Sequence, residues 1–169
     1  GMLGVKPLGY YTLASQLAVF PIARLNPIVL QVAYPILARM QNDPTELKKS
    51  YLTILDLIGF INLPLMAGLF ITADSVVPLF YGPGWEETIH LIRIFVFVSI
   101  FSSLSNPLFT LAFSKGKPAL LFYLNVATLF IKIPLVYVFA RYWGVTGIAM
   151  AFLTATFLNL VMNFGIVRS

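Results

Sequence analysis

No cysteine occurs among the 169 residues, which removes a disulfide framework, a cysteine nucleophile and a thiolate metal site together. Histidine occurs once, as His90 beside Glu86 and Glu87. The run HLIR has no metal-ligand spacing, and two adjacent carboxylates diverge on a helix instead of framing one bond. No glycine-rich phosphate loop precedes a helix: GPGW joins two apolar stretches and GVTG opens another. We therefore expect no catalytic residue, no metal and no cofactor. Charge is scarce as well, at 10% of residues, against about 25% in an ordinary globular domain. The excess of cations, net +5, is scattered among apolar runs and lines no single face, which argues against a nucleic-acid partner.

What fills the chain is apolar: 59% hydrophobic residues and a mean hydropathy of +0.90. No water-soluble core absorbs that share, so most of the outer surface is expected to face lipid. A bilayer core is about 30 Å thick and takes about 20 residues of helix. The sequence divides on that measure into five spans, near 8–38, 51–72, 89–113, 118–140 and 145–167. The expected architecture is all-α, a polytopic transmembrane helix bundle, with residues 1–169 a single transmembrane region. The separators are QNDPTELKKS (41–50), TADSVVPLFYGPGWEET (72–88), SKGKP (114–118) and RYWGVT (141–146), each marked by Gly, Pro or charge. Asp43 or Thr45 is expected to cap the helix after QNDP, whose amphipathic beginning suggests a stretch along the membrane surface. Gly1-Met2 reads as an appended start, and GIVRS follows directly on an apolar run, so we expect a piece of a larger protein.

Five spans place alternate loops on opposite sides. Arg39, Lys48, Lys49, Lys115, Lys117 and Arg168 fall on one side; Lys6 and Arg141 fall on the other, with Arg93 just inside a span. The positive-inside rule makes the first set cytoplasmic and requires an odd number of crossings upstream of this chain. Trp85, Trp143, Tyr81 and Tyr142 then lie at the outer boundary as an aromatic belt.

Polar residues inside the last three spans recur at helical spacing. They are Ser99, Ser102, Ser103, Asn106 and Thr110; Asn125, Thr128 and Lys132; and Thr156, Asn159 and Asn163. Each stripe alone is explained by helix packing, since Ser, Thr and Asn bond across helices in lipid. Three stripes together favour a shared polar cavity, with Asn106, Asn125, Thr128, Asn159 and Asn163 as its lining. Arg24 and Lys132 are sharper signals, each at least eight residues from either end of its span. A midplane cation costs about 2.5–3.5 kcal/mol on the insertion scale. Either these side chains snorkel or pair with acids elsewhere, or they face a watery cavity and attract an anion. Asp56 is the one candidate internal acid, and it lies shallower. Pro27, Pro64, Pro107 and Pro134, with Pro21 and Pro35, remove backbone hydrogen bonds within spans and are hinge candidates. The stretches LNP (25–27), INLP (61–64), SNP (105–107) and IKIP (131–134) faintly repeat one another.

The ordered motifs LGYYTLASQLAVFPIARLNPIVLQVAYPILARMQNDPTELKKSY, GFINLPLMAGL, VVPLFYGPGW, SNPLFTLAFSKGKP and GVTGIAMAFL cover nearly the whole chain. They resemble the Wzx-type polysaccharide flippases, in particular the colanic-acid and lipopolysaccharide exporter branch of the multidrug/oligosaccharidyl-lipid/polysaccharide superfamily. The resemblance implies a two-lobed bundle of twelve or more helices around a central cavity, of which this chain forms most of the second lobe. It also implies a bacterial inner-membrane protein that moves undecaprenyl-diphosphate-linked oligosaccharide from the cytoplasmic to the periplasmic leaflet. Its partners would be the lipid-linked oligosaccharide, membrane lipids, the first lobe of the same protein, and polysaccharide polymerase and chain-length machinery. Arg24 in ARLNP and Lys132 in FIKIP match the cationic cavity positions that meet the anionic head. Three other readings stay open: a drug/cation antiporter of the same superfamily, the membrane segment of a polysaccharide polymerase or ligase, and a structural membrane scaffold.

Overall fold

The computed structural model describes residues 5–114, 116 and 118–168. They form four helices: α1 (Val5–Arg39), α2 (Pro44–Tyr81), α3 (Glu86–Ser114) and α4 (Pro118–Arg168). All four are long and apolar enough to cross a membrane. Helix α4 is two spans in one, because its 51 residues are broken at Gly144 (φ 58, ψ −131), a conformation open to glycine at little cost. The expected fourth and fifth spans are thus its arms, 118–143 and 145–168.

The arms run antiparallel. Phe139 meets Gly147, Lys132 sits over Phe152, and Asn159 bonds to Thr128. A Cβ placed on Gly147 would overlap the Phe139 carbonyl, so the hairpin closes only because position 147 is bare.

Two separators differ from expectation. Helix α2 continues through 72–81 and leaves only Gly82 to Trp85 outside it. The apolar run VVPLFY is compatible with helix. Pro78 lacks a donor, yet its own carbonyl accepts from the Gly82 N–H at 2.9 Å, and Gly82 at φ 76 ends the helix. At the other end, Asp43 is the cap, accepting from the Thr45 and Glu46 amides at 3.0 and 3.1 Å. No separate surface helix precedes the span: α2 runs unbroken for 38 residues, roughly 57 Å at the α-helical rise. A helix that exceeds the bilayer thickness by so much must tilt or protrude.

Helix α3 is the centre, in contact with α1, α2 and α4, whereas α1 barely touches α4. Apolar burial gives no special drive between helices in lipid, so close packing must hold them. On α1 the buried stripe is Ala14, Ala18, Ile22, Asn26, Ala33 and Leu37, with small residues that let α3 approach. Buried apolar side chains fall into two clusters. One joins Ala14, Ala18 and Ile22 to Met66, Ala73, Val77 and the first half of α3. The other joins Ala33 and Leu37 to Leu47, Tyr51, Ile54 and Ile58. A polar layer lies between the two clusters.

Candidate functional site

That layer begins where α1, α2 and α3 meet. The Asn62 amide nitrogen donates to Asn26 Oδ1 at 2.7 Å and to Ser103 Oγ at 2.5 Å, and Asn26 Nδ2 donates to the same Ser103 hydroxyl at 3.2 Å. All three residues are buried, so each bond replaces a partner that lipid cannot offer. Asn62 Oδ1 and Ser99 Oγ remain buried without a partner. Ser99 also lines a 270 Å³ cavity between α1 and α3, together with Asn26, Ser102 and Asn106.

Ser102 and Asn106 are shared with a second cavity of 220 Å³ between α3 and α4. There they meet Asn125, Thr128, Lys132 and Asn159. Asn159 Nδ2 donates to Thr128 Oγ1 at 2.6 Å, and Asn163 Nδ2 donates to Asn159 Oδ1 at 2.9 Å one turn further on. Of the expected lining residues, Asn106, Asn125, Thr128 and Asn159 thus come together around Lys132. Asn163 supports Asn159 from behind.

Lys132 belongs to two surroundings at once. On one side is the polar cavity; on the other is an apolar groove of 680 Å³ walled by Leu129, Ile133, Val136, Tyr137, Ala140 and Phe152, with Arg141 at its far end. The Lys132 ammonium lies 3.5 Å from the centroid of the Phe152 ring, whose face attracts a cation. Among the described residues it forms no ion pair.

Arg24 is placed differently. It lies on the exposed face of α1 with its guanidinium 5.4 Å from the Phe20 ring centroid, and it lines none of these three cavities. The structure therefore does not bring Arg24 and Lys132 together. The helices continue through Pro27, Pro64, Pro107 and Pro134 without a break; Pro107 is buried and the other three are exposed. The two aspartates within α2 line none of these three cavities. Asp56 is exposed, and Asp74 accepts from Arg93 at 2.5 Å. That ion pair links α2 to α3 and was outside the sequence reading, which placed Asp74 in a loop.

Sequence reasoning also missed Asn26 and Asn62 as partners. The signal was present in LNP and INLP, where an Asn stands directly before or two residues before a proline in an apolar helix.

Residues 1–90, more than half of the chain, match the family described as polysaccharide biosynthesis protein. The lipopolysaccharide biosynthesis protein WzxC of Escherichia coli K12 is 30% identical over 163 residues, which is 96% of this chain and 33% of that protein. An uncharacterised membrane protein in the cps region of Klebsiella pneumoniae is 29% identical over 96% of this chain and 34% of its own length. The teichuronic acid biosynthesis protein TuaB of Bacillus subtilis 168 is 29% identical over 72% of this chain and 25% of its own length. The chain spans about a third of the length of the first two relatives and a quarter of the third. No solved structure matches it. Its helices mark a multi-pass membrane protein, and the chain belongs to the polysaccharide biosynthesis protein family, in agreement with the Wzx-type resemblance of its motifs.

Proposed function

We propose that the chain is part of a bacterial inner-membrane flippase that moves undecaprenyl-diphosphate-linked oligosaccharide repeat units across the bilayer by alternating access. The observation that carries this reading is Lys132, a cation within a span that touches a polar cavity of Asn, Thr and Ser side chains. Amides and hydroxyls suit the hydroxyls of a sugar, and an ammonium with three donors suits a phosphate oxygen. Arg24 supplies a second cation, on the exposed face of α1 where the first lobe of the intact protein would close over it. The segments 41–50 and 114–118 are the cytoplasmic ones by the distribution of Lys and Arg. Pro27, Pro64, Pro107 and Pro134 supply the flexibility for the lobes to rock, because each leaves a carbonyl without its helical donor. Polymerase and chain-length proteins act on the delivered repeat units. An antiporter reading fits less well, since neither Asp56 nor Asp74 lines any of the three cavities described above.

The test is Lys132→Ala and Arg24→Ala in the intact protein, with surface polysaccharide measured at matched protein levels. Loss of one charge-assisted contact, about 1.5–3 kcal/mol, predicts a fall of roughly ten- to hundredfold in transport for Lys132→Ala. Unchanged export from both variants would refute the assignment.

A further inference from the structure

The groove beside Lys132 has a chemistry that the head-group reading leaves unused. Along the first arm of α4 the surroundings change in order: Asn125 and Thr128 face the polar cavity, Lys132 stands at the border, and Ile133, Val136 and Ala140 wall the groove. The groove holds 680 Å³, within the range of about 300–1,000 Å³ typical of small-molecule sites. Among the described residues, the charged ones that line it are Lys132 at one end and Arg141 at the other, with no acid between them. Arg141 is exposed whereas Lys132 is half-buried at the polar cavity, so an occupant that is apolar along its length and anionic at the Lys132 end fits this lining. Phe152 holds the ammonium at the border without consuming its N–H donors in an ion pair.

Resting on the flippase reading above, we propose that this groove binds the hydrocarbon chain of the lipid-linked anion whose head meets Lys132. The nine helical steps from Lys132 to Arg141 provide about 14 Å of helix for the chain to follow. With the 115–117 loop cytoplasmic, the groove runs from mid-depth towards the outer face. The bound lipid then keeps its sugar towards the cytoplasm and its chain towards the outer face, as a cytoplasmic-leaflet lipid does, but raised to mid-depth. Lys132 thus recognises the junction between head and chain.

The experiment uses the full-length protein in nanodiscs and two probes with the same head, undecaprenyl phosphate and methyl phosphate, which has no chain to enter the groove. Wild type should bind undecaprenyl phosphate at least about tenfold more tightly, and Val136→Trp or Ile133→Trp should abolish that preference while leaving methyl phosphate within about twofold. Lys132→Ala should weaken both probes. If both tryptophan variants keep the chain-length preference while Lys132→Ala weakens both probes, the groove proposal falls and the head-group reading stands. If Lys132→Ala changes neither probe, the head-group reading falls, and the groove proposal with it. A photoactivatable undecaprenyl phosphate on the wild-type protein covers the case in which a tryptophan variant fails to fold. Labelling within 129–141 supports the groove, and labelling confined to other segments overturns it.

Discussion

Asn62 shows how much one side chain can organise. Its amide reaches α1 through Asn26 and α3 through Ser103, so a single residue of α2 ties three helices. Asn62→Leu leaves Asn26 Oδ1 without a donor in the core, and the protein should lose about 1–3 kcal/mol, read as a lower melting temperature of the full-length protein in detergent. Asn125→Leu is the contrast. Asn125 is exposed, so its loss should change stability by less than about 0.5 kcal/mol while reducing export if the polar cavity contacts sugar. The sequence shows polar residues at helical spacing, and part of each stripe on α3 and α4 meets at one cavity, while Ser99 and Ser103 turn towards α1 and α2. It does not show which faces meet, because periodicity describes one helix at a time. Asn26 and Asn62 had no stripe of their own and became legible only once three helices were packed together. Arg24 and Lys132 likewise look equivalent in sequence, but neighbours from other parts of the chain surround only Lys132.

At the scale of elements, glycine and proline have opposite roles. Gly144 makes the turn in α4, and Gly147 lets the returning arm lie against Phe139. Gly147→Ala should be among the most damaging small substitutions, at least about 2–3 kcal/mol, because the clash is with backbone and not with a flexible side-chain end. Lower yield and melting temperature of the full-length protein, against a Gly9→Ala control with open space around it, would check this. The prolines leave the helices continuous. Pro107 removes the donor to the Ser103 carbonyl, beside the asparagine cluster, and Pro107→Ala restores it. The expected outcome is a stiffer α3: higher thermal stability with slower export, measured in the same cells. Spans were readable in sequence because length and apolarity suffice to identify them. Their ends were not, since a run such as VVPLFYGPG has the turn residues of a loop and the apolarity of a helix, and only the Gly82 cap decides between them.

For the whole molecule, the governing feature is the central position of α3. Helices α1, α2 and α4 each pack on it, while large apolar side chains such as Phe60, Leu79 and Phe130 remain three-quarters or more exposed, as a lipid-facing or lobe-facing surface requires. The topology is open to a direct check because the chain has no cysteine. Single substitutions Pro83→Cys and Gln41→Cys, in a full-length protein otherwise free of cysteine, should behave oppositely towards a membrane-impermeant maleimide in cells with a permeabilised outer membrane. Pro83→Cys should label and Gln41→Cys should label only after lysis; the reverse pattern would invert the orientation. The bundle's class and approximate span number follow from the apolar runs of the sequence, but the hub position of α3 does not, for its sequence is less apolar than those of α2 and α4.

The asparagine cluster also has a consequence for biogenesis. Helices leave the ribosome in order, so Asn26 and Asn62 enter the membrane before Ser103 does. The 2.7 Å bond between them joins the two earliest helices of this chain and can satisfy one donor and one acceptor in the interval. Ser103 then completes the set when α3 arrives. A nascent chain stalled after α2 should therefore hold α1 and α2 together, and cysteines placed at positions 33 and 58 should crosslink in it. Asn26→Leu should abolish that early pairing more strongly than it weakens the finished protein, whose α3 contacts persist.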